Sequence, residues 1–159
     1  VVSFYHQVIE ALNSYGVRYL VVGGFAVNFH GYNRTTKDLD LWVDISETNL
    51  KAIEKAMERL GYEFDELASY ELSAERMVVL QESESIVELM PRLNISEEIS
   101  FNEAFARSDM REIDGLDYRV ISLDDLLREK ARSKRYKDLD DYSKLMEARA
   151  YYRRRSKEE

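Results

Sequence analysis

Cysteine is absent from this 159-residue chain and proline occurs once. Without cysteine there is no disulfide and no thiolate metal site, a composition that fits a cytoplasmic protein. No apolar run approaches the roughly 20 residues of a membrane-spanning helix, so no membrane partner is expected. The opening stretch, "VVSFYHQVIEALNSYGV", lacks the basic flank and cleavage pattern of a signal peptide. Positive charge is also short. Against 31 Asp and Glu stand 23 Lys and Arg, a net charge of −8. The domain as a whole is therefore not drawn to nucleic acid by long-range attraction, and any such partner, a tRNA acceptor for instance, must be met locally. Basic residues do concentrate late, in "LLREKARSKRYKDLDDY" and "YYRRRSK". Internal repeats and low-complexity linkers are missing too.

What is present is the composition of one folded domain, 45% hydrophobic and 34% charged. Phe4, Val8, Ile9 and Leu12 recur at helical spacing and Gly16 stops that helix. "RYLVVGG" reads as a buried strand ended by glycines, "FAVNFHG" as a short helix and "LDLWVD" as a second strand. Ser46 caps a helix over 48–60 that Gly61 closes. "RMVVLQ" and "SIVELM" pair across the polar turn "ESE", and Pro91 ends the second of them. Residues 101–107 form a helix, "LDYRVIS" a last strand, and Ser122 caps the helix that follows. A final helix covers about 136–151, with "RRRSKEE" a frayed tail. This order predicts an α+β fold, a mixed sheet with helices packed mainly on one face. Its core spans 1–122, and 123–159 are a C-terminal helical extension of the same domain.

Aspartate is a poor strand former, yet Asp38 and Asp40 occupy a strand. Side chains alternate across a sheet, so the two acids share one face with Trp42 and Asp44, while Leu39, Leu41 and Val43 take the other. Paired carboxylates on one face call for water, a partner or a cation, and all-oxygen ligands suit Mg²⁺ together with substrate phosphates. Glu88, between Val87 and Leu89, is a third acid inside an apolar strand. If the two strands are neighbours, the three carboxylates can hold two cations and bring an attacking oxygen to a phosphoryl group. Gly23-Gly24 lets backbone N–H groups approach a phosphate closely.

Together Val22-Gly23-Gly24, the spacer to Lys37, Asp38-Leu39-Asp40-Leu41 and Val87-Glu88-Leu89 resemble the nucleotidyltransferase superfamily typified by DNA polymerase β. The resemblance covers about 17–93. The closing "ISLDDLLREKARSKRYKDLDDYSKL" is similar to the last helices of small bacterial members, lincosamide-modifying and toxin–antitoxin types. It implies Asp38 and Asp40 as ligands of Mg²⁺ or Mn²⁺, Glu88 as a third ligand or the base, and Gly23 and Gly24 as the triphosphate seat. The activity implied is transfer of a nucleoside monophosphate from a nucleoside triphosphate to a hydroxyl of a small molecule, tRNA or protein. The second glycine stands where many members carry serine, and Glu88 replaces the commoner aspartate.

Other residues carry two readings. Arg34 and Thr35 precede Asp38, and Arg34 is either a solvated loop residue or a phosphate contact. Lys130 and Lys137 belong to a basic run that is either a solvated helix face or a reach toward the β- or γ-phosphate. His30 reads as a packed residue, Trp42 as core or a base platform, and the late tyrosines as a partner surface or plain surface. A catalytically weak binding or antitoxin-like module on the same fold is the alternative to an enzyme.

Overall fold

The structure, a computed structural model, describes residues 3–158. Ser3 caps α1 (Phe4–Ser14), which buries Phe4, Val8, Ile9 and Leu12, the stripe its spacing demands. β1 (Tyr19–Val22) is buried along its whole length. As expected the strand ends at the glycines, and these also open α2 (Gly23–Phe29), Gly23 turning the chain at φ +63°. β2 (Asp38–Val43) follows the loop and leads to α3 (Glu47–Arg59), where the Ser46 hydroxyl accepts from the Asn49 amide. Next come α4 (Glu66–Ser73), β3 (Val78–Glu82) and β4 (Ser85–Met90). A 3₁₀ turn over Asn94–Glu97 and α5 (Phe101–Ala106) precede β5 (Asp109–Ile113) and β6 (Leu116–Val120). Two helices close the chain, α6 (Leu123–Arg132), capped by Ser122, and α7 (Tyr136–Glu158).

The six strands form one mixed sheet in the order β3-β4-β2-β1-β6-β5, and with the helices they make the expected α+β fold. The β1–β2, β3–β4 and β5–β6 pairs are antiparallel, while β2–β4 and β1–β6 are parallel. α1 packs on α3 and lies across β4 and β6. Leu39 and Leu41 are wholly buried, whereas Asp38 and Asp40 keep some exposure, as alternation requires.

Three elements differ from expectation. α4 stands where the sequence pattern assigns no element, and its Asp65 side chain accepts from the Ala68 amide as a cap. The last strand is half of a hairpin: Asp114 and Gly115 both take positive φ, 51° and 79°. That pair of left-handed residues matches the twist of the strands beside it. The tail is helical to Glu158 instead of frayed from 153, because Arg, Lys and Glu are good helix formers even without a packed face. Glu159 lies outside the described residues.

Candidate active site

Strand register decides what the carboxylates can do together. Val22 pairs with Asp40 across β1–β2, and Asp40 pairs with Glu88 across β2–β4. Three adjacent strands thus set Val22, Asp40 and Glu88 in one row, with Asp38 two residues along β2 on the same face. The Asp40 carboxyl is pushed up to about 8. Burial is the largest cause, then the neighbouring Glu88 carboxyl, with which a protonated Asp40 would hydrogen-bond, and the charge of Asp38, with Lys130 opposing. Asp40 Oδ1 is buried and has no hydrogen-bond partner.

Gly23 is dictated by this row. A Cβ there would fall on the Asp40 carboxylate, and the residue also holds a left-handed φ of +63°. Only glycine meets both demands cheaply. At Gly24 a Cβ would sit 2.5 Å from Thr36 Oγ1 and 3.1 Å from an Arg34 guanidinium nitrogen. The loop before β2 therefore occupies the space where a serine side chain would stand.

All nine residues singled out from sequence line one cleft of about 490 Å³: Gly23, Gly24, Arg34, Thr35, Asp38, Asp40, Glu88, Lys130 and Lys137. Lys137 is exposed at its mouth and Lys130 is buried. A smaller recess of about 160 Å³ continues behind Asp40 over Val22, Met90, Leu93 and Leu126.

Lys130 is no solvated helix residue. Its Nζ lies 2.7 Å from Asp138 and 2.9 Å from Asp141. Asp141 also meets Arg34 Nε at 2.8 Å and accepts from Arg34 Nη2 at 3.0 Å. Arg34 is therefore held by α7 and not loose in its loop. Burial alone would raise the Asp138 carboxyl, but hydrogen bonds from Arg135, Lys130 and Ser133 outweigh it and hold it far below the usual range. Thr36, Arg135, Asp138 and Asp141 are the residues that sequence reasoning assigned no role. For Thr36 the signal was its place two residues before Asp38. For the aspartates it was their spacing from Lys130 across the 133–135 turn.

Two other expectations resolve. Trp42 is core: it is buried, and its ring meets Phe101 edge-on at 5.2 Å, so no base can stack there. Asp44 pairs with Arg18 at 2.8 Å. His30 donates from Nε2 to the Ile121 carbonyl at 2.7 Å and is a packed residue.

A family profile described as "Nucleotidyl transferase of unknown function (DUF2204)" matches residues 2–157. The chain belongs to this family and is a nucleotidyltransferase. Comparison with curated protein sequences gives no match. Among solved structures it is similar to ANT(2'')-Ia in complex with adenylyl-2''-tobramycin, at 17% identity and a TM-score of 0.51, over 96% of each chain. A Thermotoga maritima protein assigned to the nucleotidyltransferases (TM1012) aligns at 17% identity and TM-score 0.53, covering 94% of this chain and 91% of its own. An antigenic nucleotidyltransferase-like protein from Paracoccidioides brasiliensis aligns at 19% identity and TM-score 0.53, over 86% and 71% respectively. At these identities the neighbours share the fold. Among the described residues no helix is long and apolar enough to cross a membrane.

Nucleotidyltransferases in general use a nucleoside triphosphate and a divalent metal. Among the described residues no set of three or more His, Asp or Glu side chains is arranged as a metal-binding group. The fit to a cation rests on two same-face aspartates and a buried, unpartnered Asp40 oxygen in the cleft that Gly23 and Gly24 also line. That is a donor set for a hard divalent cation that completes its shell with water and substrate phosphates.

Proposed function

We propose that the cleft binds a nucleoside triphosphate with a divalent cation, Mg²⁺ or Mn²⁺, and transfers the nucleoside monophosphate to a hydroxyl acceptor, releasing pyrophosphate. The observation that carries this reading is the Asp40–Glu88 register with Asp38 beside it, at the foot of the Gly23-Gly24 corner. Asp38 and Asp40 would hold the cation, which when bound neutralises the polyphosphate and polarises the α-phosphate.

The chain's own groups do the rest. Gly23 and Gly24 leave room for phosphate oxygens against the backbone, and the Thr36 hydroxyl stands where a serine at 24 would project, supplying that donor from the loop. Arg34, whose Nε and Nη2 are held by Asp141, adds its charge to the wall of the cleft. Lys130, Arg135 and Lys137 add positive charge along the same cleft, with Asp138 and Asp141 fixing the first two. Glu88 takes the proton of the acceptor hydroxyl. The oxygen then bonds to the α-phosphorus as the bond to the β-phosphate oxygen breaks, and pyrophosphate leaves. Positioning and charge neutralisation supply most of the rate in such a transfer.

The acceptor is a hydroxylated small molecule, a tRNA end or a protein side chain. The adenylylated tobramycin bound by ANT(2'')-Ia favours the first, and the recess behind Asp40 is space for part of it. The test is incubation with α-labelled triphosphates and Mg²⁺ against candidate acceptors, with Asp38→Ala and Asp40→Ala alongside. Label transfer by wild type alone supports the reading. Equal transfer by all three proteins removes it.

A further inference from the structure

We propose that a basic groove between the C-terminal end of α2 and the second half of α7 binds single-stranded nucleic acid. The groove consists of two adjoining hollows, of about 510 and 370 Å³, that share His30, Leu123 and Tyr152. Arg111, Arg149, Arg153 and Lys157 line them, and no carboxylate does. In a chain with 31 acidic and 23 basic residues, a concavity lined by four cations and no acid is a local reversal of sign. Between residues 149 and 158 there are five basic side chains and one glutamate. This is where the late basic run, unused by the nucleotide cleft, is displayed.

The spacing favours an extended polyanion over a single ion. Arg149, Arg153 and Lys157 recur every fourth residue, so they form one stripe rising about 6 Å per step. Between them Tyr152 is 59% exposed. Its ring lies 3.5 Å from where a Cβ on Gly31 would be, so it walls the groove instead of entering the core. Phe29 and Leu123 make the floor apolar. Cations along a strand with an aromatic face between them are what unstacked bases and their phosphates require. Arg149 also meets Asp124 at 2.9 Å, with side chains 27% and 62% exposed, and a partly solvated pair of this kind contributes little, so a phosphate can compete for the arginine. The end of α7 shows no apolar stripe for a lipid surface: its exposed large apolar residues are Tyr151 and Tyr152. Since α2 runs from Gly23 to Phe29, the groove begins about 10 Å of helix away from the nucleotide corner.

The test is fluorescence polarisation of a labelled oligouridine of about 12 nucleotides, within the site sizes of single-strand binders, with the full chain. Binding should weaken between about 50 and 200 mM salt, with a log–log slope near −2 to −3 for three or four neutralised phosphates. The double change Arg153→Glu with Lys157→Glu should lower affinity at least about tenfold. Tyr152→Ala should lower it about tenfold and Tyr152→Phe far less, since only the ring face is used. Asp40→Asn should bind the oligonucleotide as wild type does, so this outcome is independent of the nucleotide cleft. Absence of binding at low salt, or binding untouched by the charge reversal, overturns the proposal. So does equal binding of heparin with no effect of Tyr152→Ala, or tighter capture by anionic vesicles than by the oligonucleotide.

Discussion

Replacing Asp141 by asparagine should unfold the link between α7 and the nucleotide cleft. Asp141 is 1% exposed and takes three contacts, Lys130 at 2.9 Å and two Arg34 nitrogens at 2.8 and 3.0 Å. Without its charge, Lys130 retains Asp138 at 2.7 Å, but Arg34 has no other ion-pair partner among the described residues. Removing one member of a buried pair costs about 3–5 kcal/mol, because the other charge is left uncompensated. Arg34 is 14% exposed and can partly rehydrate, which places the loss near the lower end, about 3 kcal/mol. For a chain of this length that lowers Tm by roughly 6–12 °C. Urea unfolding at neutral pH, followed by circular dichroism, reads the loss directly. Little of it should depend on salt, since buried charges are weakly screened. Arg34→Met in the Asp141→Asn background should then cost much less than in wild type, a coupling of about 1–3 kcal/mol. A loss below about 1 kcal/mol, or simple additivity with Arg34→Met, would refute the view that α7 clamps the loop.

Three further outcomes follow from the same geometry. The Asp40 carboxyl is raised from 3.8 to about 8, so between those values the folded chain binds more protons than the unfolded one, and stability falls as pH rises. Its contribution is fully present below about pH 4 and lost by about pH 8. Asp40→Asn should flatten that slope in metal-free urea titrations, and a slope unchanged by the substitution would contradict the cause given. Gly23→Ala should cost at least about 1–2 kcal/mol from the left-handed backbone alone, and displacement of the Asp40 carboxylate should abolish nucleotide binding, both readable by thermal unfolding with and without Mg²⁺-nucleotide. Gly24→Ser should destabilise the loop before β2, and adding Thr36→Ala should restore Tm. Failure of that rescue would mean that Thr36 does not hold the serine's space.

How much of this was legible in the sequence depends on which interactions are local. The acids of β2 and β4 stand out because alternation has period two, and the apolar neighbours of Asp38, Asp40 and Glu88 reveal the face each takes. Their register is non-local, and there the motif resemblance carried what periodicity could not. The β5–β6 hairpin is also written in the chain, in the Asp114-Gly115 pair, but β5 is exposed along most of its length and has no apolar face to mark it as a strand. α4 has one fully buried residue, Leu72, so its pattern is faint. The burial of Lys130 was invisible for another reason. Its partners lie 8 and 11 residues on, across a helix break, and a run of charges reads as solvated until the second helix folds back on it.

Calorimetric titration with a nonhydrolysable triphosphate, in Mg²⁺ and then in excess chelator, addresses most directly whether a cation joins the aspartate pair to a polyphosphate. Wild type should bind in Mg²⁺ and lose nearly all affinity in chelator, while Asp38→Asn and Asp40→Asn should fail in both. Equal binding with and without the cation, or full binding by either variant, would contradict the account.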